Sequence, residues 1–321
     1  MLSIQINPRL ISALALLAVL MGLALTGCNR RARAPADPYA AGREALAVGQ
    51  WDLAVAHLQA ACGLDVDCRD AEDKLAQALD DTVVVVPAGA FLMGSATGDV
   101  DERPQRRVYV DAFEIDQYEV TNVQYRRFLL ATGRASPQRW PERYVASLPE
   151  RDPDWHGTAY PAGEATYPVV GVNWEDAAAY CAWARKRLPT EAEWEKAARG
   201  TDGRLYPWGD AWDAARANTG DAAVGYTQPV GSYPAGASPY GALDMTGNAW
   251  EWVADLYDRQ YYSYAPQRNP PGPDSGTGER VLRGAAWDSP PDHARAAYRN
   301  ATHCFGPNFR AGFRCARDVE P

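Results

Sequence analysis

Residues 167–200 read YPVVGVNWEDAAAYCAWARKRLPTEAEWEKAARG, and two helices are legible in this one stretch. Asn173 precedes an alanine-rich run with Asp176 at the third helical position, so its side chain can accept an N–H that the first turn leaves unpaired. Ala177, Tyr180, Cys181 and Ala184 recur at helical spacing, which predicts a helix over 173–187 with Cys181 facing a core. After Pro189, Thr190-Glu191-Ala192-Glu193 comes close to a capping box and starts a second helix running to Ala198. Glu191 and Glu193 look like a catalytic acid pair. They are read instead as carboxylates at a helix start, where the dipole favours them.

Working outward, a third helix spans Thr121 to Ala131, capped by Thr121 and stopped by Gly133. TVVVVPAGAFLMGS, residues 82–95, reads as a β-branched strand, a Pro-Ala-Gly turn and a second apolar strand. The rest is short strands and long loops. The chain holds 11 Trp, 17 Tyr, 27 Gly and 24 Pro among its 321 residues, the composition of a loop-rich globule and not of a helical bundle. So little regular structure over 83–318 calls for bound ions or disulfides to hold it. A net charge of −9 argues against general nucleic-acid affinity, which needs a basic face.

The N-terminus sets the compartment. After Arg9 come 18 uncharged residues, LISALALLAVLMGLALTG, ending at Cys28. Small residues before a cysteine at the end of an apolar run resemble a bacterial lipobox: residues 1–27 are then a signal peptide and Cys28 carries the lipid. The competing reading is a plain N-terminal membrane anchor. Both leave the rest in an oxidising space. Asn29, rather than Asp, after the cysteine points to the outer membrane, and the expected setting is the periplasmic or cell-surface side. Residues 28–38 read as a tether. Residues 39–81 carry alanine and leucine at helical spacing and resemble one tetratricopeptide-type repeat with a third helix, Arg69 to Leu79, capping it. This segment is expected to be a spacer; a partner-binding module is the alternative.

Removing Cys28 leaves Cys62, Cys68, Cys181, Cys304 and Cys315, hence two disulfides and one spare thiol. Cys62 and Cys68 flank GLDVD, close enough for a local staple. Which of the other three is free stays open on spacing alone. The four histidines, at 57, 156, 293 and 303, show no zinc spacing.

Taken in order, VPAGAFLMGS (86–95), DQYEVTNVQYRRF (116–128), the stretch quoted above, YPWGD (206–210), GNAWEW (247–252), RVLRGAAW (280–287) and GFRCA (312–316) resemble the formylglycine-generating enzyme, or sulfatase-modifying factor, family. The resemblance covers 83–318, with the domain taken as 82–318, and implies an α+β, loop-rich fold related to C-type lectins. By resemblance, Asp244 and Glu251 give side-chain oxygens, and Gly247 and Ala249 give carbonyls, to a structural calcium, a hard ion that prefers oxygen. A second family calcium site maps onto Asn218, Thr219 and the Tyr226 carbonyl, but Val224 stands where the family has an aspartate, and Asp221 is the nearby carboxylate that could substitute. The family's copper-binding cysteine pair falls at Arg295 and Asn300, neither of which is a thiolate for Cu(I). Cys181 and Cys315 match a family disulfide. Cys304 is left spare, a catalytic candidate only if His303 and Arg310 favour its thiolate.

These residues imply a calcium-stabilised, membrane-anchored lipoprotein domain without the copper-dependent oxidase activity. Copper is not expected as a cofactor. The expected role is binding or assembly in the cell envelope, with a protein, peptide or glycan held in a Trp/Tyr-lined groove from segments 206–212, 250–262 and 287–299. Those aromatics would serve equally well as core. The alternative is an oxidoreductase of the same family, acting on a peptidyl cysteine or a small molecule with a changed ligand set.

Overall fold

The computed structural model describes residues 38–47, 54, 57, 68–137, 154–303 and 308–319. The signal peptide, Cys28, tether residues 28–37, Cys62 and Cys304 lie outside the described residues, and with Cys62 the expected Cys62–Cys68 pairing. Among the described residues no helix is long and apolar enough to cross a membrane.

The chain divides into two units, residues 1–66 and 67–321. Described in the first is helix α1 (Pro38–Ala47), which buries Ala45.

The second unit opens with helix α2 (Cys68–Asp80), whose Leu75, Ala76 and Leu79 are buried along one face. This helix packs against α3 (Asn122–Thr132). Reading the domain from Thr82 therefore leaves out an element that its contacts assign to the same unit. Polar contacts seal the junction. Asp80 accepts from Gln124 Nε2 at 2.8 Å and from the buried Tyr180 hydroxyl at 2.9 Å, while Glu72 pairs with Arg126 and Tyr160.

Three sheets follow. Strands β1 (Val83–Val86), β4 (Phe113–Asp116) and β9 (Ala316–Asp318) form one, and β2 (Gly89–Met93) with β3 (Arg106–Val110) another. The third has the order β7 (Asn300–His303), β6 (Glu279–Arg283), β5 (Trp250–Leu256), β8 (Ala311–Phe313). All pairings are antiparallel except β5 with β8. Both turn-joined strands predicted over 82–95 are present, but they belong to different sheets.

The predicted helices form with the expected caps. The Thr121 N–H donates to Gln124 Oε1 at 2.9 Å, and Gly133 closes α3 in the left-handed region at φ 69°. Asn173 accepts from the Asp176 N–H at 2.8 Å to start α4 (Trp174–Trp183), and Thr190 with Glu193 completes a capping box on α5 (Glu191–Arg199). Helix α4 stops short of the predicted Arg187 because Arg185 turns left-handed at φ 59° and the Arg187 N–H donates to the Ala316 carbonyl instead.

Two cores result. One gathers Tyr125, Phe128, Tyr180, Trp252 and Phe313 between α3, α4 and the β5–β8 edge. The other gathers Phe91, Val108, Ile115, Trp194 and Val281 around α5. Cys181 and Cys315 are both fully buried and joined by a disulfide across 134 residues, tying α4 to the last strand.

Candidate functional site

Two polar centres lie on this frame. The first is built where the 244–249 loop enters β5. Asp244, Gly247 and Asn248 all take positive φ, at 57°, 81° and 65°. Gly247 is required, since a Cβ there would stand 2.2 Å from the Asn218 carbonyl oxygen. The turn brings Asp244 and Glu251 beside Glu119, a residue from the segment before α3. Glu119, Asp244 and Glu251 are 1%, 7% and 0% exposed, so three carboxylates share one buried region. Facing them is the buried Arg314 guanidinium, which donates to both Glu251 oxygens at 2.7 Å. Burial, then Asp244 and Glu251, push the Glu119 carboxyl well above its usual range. Burial likewise raises Asp244 to about 6, against the pull of the Gly231 N–H and Arg314.

Asn248 is the hub of this centre. Its amide donates to Glu119 Oε2 at 2.6 Å, and its Oδ1 accepts from the Gln228 N–H at 2.8 Å and from Asn218 Nδ2 at 3.2 Å. Sequence reasoning singled out Asp244, Gly247, Ala249 and Glu251 but missed Glu119, Asn248 and Arg314. All three sit inside the quoted motifs; no spacing rule links 119 to 248 or 314.

Asn218, Thr219 and Tyr226 lie next to it. Asn218 Nδ2 donates to the Tyr226 carbonyl at 2.8 Å. Asp221 turns away, accepting from Trp212 Nε1 at 3.1 Å on an exposed face, and Val224 is 41% exposed. Asn218 Oδ1 is buried without a hydrogen-bond partner, and the Tyr226 hydroxyl donates to Glu164 Oε2 at 3.2 Å.

The other centre is a cavity of about 420 Å³ between the Ser95–Asp99 loop and the 292–298 segment. Arg295 forms part of its wall, donating to Glu102 Oε2 at 2.6 Å and Oε1 at 2.8 Å. Glu102 is fully buried, and a Cβ on Gly98 would come within 2.0 Å of its Oε2, so the backbone lies flat on this ion pair. His293 stacks on Tyr298 with ring centroids 4.3 Å apart, and Trp250 lies 6.0 Å from Tyr298. Burial raises the Tyr298 hydroxyl, with Asp99 and Asp101 adding to it.

Arg295 and Asn300 do not share this cavity: Asn300 opens β7, paired with Leu282 on β6. Arg310, a possible partner for the Cys304 thiolate, is bound to Asp288 at 2.6 Å. Of the expected aromatic groove, Tyr206, Trp250, Trp252, Tyr261, Tyr262 and Trp287 are core, while Trp208, Trp212 and Tyr298 stay partly exposed. Among the described residues, no three His, Cys, Asp or Glu side chains are grouped to hold a metal.

A third polar set is buried around α5 and was also missed. Glu191 binds Arg283 and Arg299 at 2.7 Å, and Glu195 binds Arg283 at 2.8 Å and Arg199 at 3.0 Å. All five side chains are essentially inaccessible, so they serve the fold as a buried ion network.

Residues 69–319 match the family described as the sulfatase-modifying factor enzyme 1-like domain. The chain is 38% identical over 257 residues to the serine/threonine-protein kinase pkn1 of Chlamydia caviae, covering 78% of this chain but only 40% of that protein. It therefore spans less than half the length of that relative. With the formylglycine-generating enzyme of Streptomyces coelicolor it shares 36% identity over 287 residues, 74% of this chain and 89% of the other. The structure of PvdO from Pseudomonas aeruginosa superposes with a TM-score of 0.62 at 30% identity, covering 75% of this chain and 95% of that one. Ordered motifs, α/β architecture and the match over 69–319 agree: this chain belongs to the sulfatase-modifying factor enzyme 1-like domain family.

Proposed function

We propose that this is a calcium-stabilised binding domain of the family, held at a bacterial envelope membrane by a lipid on Cys28, without copper-dependent oxidase activity. The observation that carries this reading is Arg295. Where the resemblance puts one copper thiolate, the chain has a guanidinium fixed to buried Glu102. A soft monovalent copper ion needs sulfur ligands, and a neighbouring fixed positive charge opposes it.

The resemblance assigns calcium to the oxygen donors of the 244–251 loop; among the described residues these are not grouped as a metal cluster, since Glu251 gives both oxygens to Arg314 and Oε2 also to Trp194 Nε1. Burial and mutual repulsion push Glu119 and Asp244 toward their neutral forms beside the Arg314 guanidinium, and a bound cation would favour their charged forms. Asp244 and Glu251 would hold it through carboxylate oxygens, with Gly247 and Ala249 supplying carbonyls. The ion would supply a structural cross-link between the loop and β5. At the Asn218 loop, Asn218 Oδ1 and Thr219 Oγ1 are buried without hydrogen-bond partners, while Nδ2 is used on the Tyr226 carbonyl and Val224 stands where the family has its aspartate.

Equilibrium dialysis of the full chain tests both halves of the reading. One calcium per chain and no stoichiometric Cu(I) are expected. At a hundredfold excess over its dissociation constant, calcium should add about 2.7 kcal/mol, or roughly 5–10 °C in Tm. Stoichiometric copper, or an unchanged Tm with calcium, would contradict it.

A further inference from the structure

Asn218, Thr219 and Thr227 are 1%, 0% and 1% exposed, and Asn218 Oδ1, Thr219 Oγ1 and Thr227 Oγ1 have no hydrogen-bond partner. They are three of the five buried side-chain polar atoms left unpartnered among the described residues, so the deficit is concentrated in one loop. A buried polar atom without a partner is costly, and its usual explanation is a bound water or ion. We propose that these neutral oxygens hold a monovalent alkali cation, sodium or potassium, in place of the calcium that the resemblance implies for this loop. The proposal is independent of the calcium assigned to the 244–251 loop.

Two segments meet here. Asn218 Nδ2 donates to the Tyr226 carbonyl at 2.8 Å, which ties the residue before Thr219 to the residue before Thr227. The Asn218 carbonyl accepts from the Asn248 N–H at 2.8 Å, so its backbone is fixed as well. An amide oxygen can only accept, so the missing partner of Asn218 Oδ1 is a donor or a cation and never an anion. Most of the 221–225 turn that joins the two segments is exposed, which gives a small ion a way in from solvent.

Charge decides between the occupants. Carboxylates lie one hydrogen bond behind the loop: Glu164 Oε2 accepts from the Tyr226 hydroxyl at 3.2 Å, and Glu119 Oε2 from the Asn248 amide at 2.6 Å. Both favour a positive charge in the loop, which a water does not supply. Calcium, in turn, draws its affinity from charged oxygens bound directly to it. Val224 has replaced that carboxylate, and Asp221 accepts from Trp212 Nε1 instead. Each unpartnered oxygen is uncharged. Such oxygens can replace the hydration shell of a monovalent ion, as carbonyls do in potassium filters, but not the far stronger hydration of a divalent one.

The test is thermal melting of the full chain in detergent, with calcium saturating, in sodium, potassium or choline chloride at equal concentration. Choline matches the ionic strength and is too large for the loop. At about tenfold excess over its dissociation constant, sodium or potassium should raise Tm by about 3–6 °C over choline. Replacing Thr219→Val together with Thr227→Val removes two of the oxygens and should abolish the rise. Val224→Asp, at an exposed position, restores a carboxylate and should bind one more calcium than the wild type in equilibrium dialysis. A rise with sodium alone or potassium alone names the ion, and either supports the proposal. Equal Tm in the three salts, an undiminished rise in the threonine double variant, a second calcium bound by the wild type, or no added calcium in Val224→Asp would overturn it. Absence of the first calcium would instead sink the reading of the 244–251 loop and leave the alkali result standing.

Discussion

Asp255 shows how much charge this domain buries. The side chain is 2% exposed and accepts from the Glu191 N–H at 2.7 Å, next to the Glu191 carboxylate. Burial, then that neighbouring charge, push its pKa from 3.8 to about 8. The folded state thus keeps a proton that the unfolded chain releases, so this group's contribution to stability falls as pH rises from about 4 to about 8 and is flat beyond. Asp255→Asn retains an acceptor for the N–H and removes the ionisation. Urea midpoints measured at pH 5 and pH 8.5 should fall less in the variant than in the wild type. Parallel losses in the two proteins would refute this account of Asp255.

Among elements, α2 carries the least expected role. Its last turn supplies Asp80, which takes the hydroxyl of Tyr180, a side chain 1% exposed. Arg127 adds a half-exposed pair at 3.0 Å, worth little by comparison. Lys186 donates to the Asp80 carbonyl at 2.5 Å and to buried Asp116 at 2.6 Å, so the end of α2, β4 and the turn after α4 share one node. Asp80→Ala strands a buried hydroxyl and should destabilise by about 2 kcal/mol by chemical denaturation. Tyr180→Phe, which removes donor and demand together, should cost about 1 kcal/mol or less when made in the Asp80→Ala background. The disulfide works at the same scale. Replacing Cys181 and Cys315 by alanine opens a 134-residue loop and should lose about 2–4 kcal/mol, read as a lower urea midpoint under non-reducing conditions. A midpoint equal to the wild type would mean that the bond adds nothing to the packing of α4 on the last strand.

Legibility follows from how local each signal is. Caps at Thr121, Asn173 and Thr190 are set by side chains three residues from their partners, and all three were readable. The end of α4 was not, because Ala316, over a hundred residues away, takes the Arg187 N–H out of the helical path. The role of α2 was hidden for the same reason: its apolar face reads alike whether a hairpin or a domain covers it. Within the sites, Asp244 and Glu251 could be found from one short motif. Glu119, Asn248 and Arg314 reach the same point from three segments, and their convergence needs the fold. Glu191 was read as a dipole partner, yet Arg283 and Arg299 make it the centre of a buried ion network.

For the whole molecule, the family scaffold is present, and we propose that its copper chemistry has been given up. The core, the 181–315 disulfide and the 244–251 loop carry the scaffold; Arg295 with Glu102 stands against the chemistry. The most direct measurement is mass spectrometry of a peptide bearing Cys-x-Pro-x-Arg, incubated in air with the full chain, Ca²⁺ and Cu(I). The formylglycine-generating enzyme of Streptomyces coelicolor would run alongside as the positive control. With this chain the cysteine should stay unchanged. Conversion of that cysteine to an aldehyde would contradict it, and would make the Cys304 thiol the first group to replace.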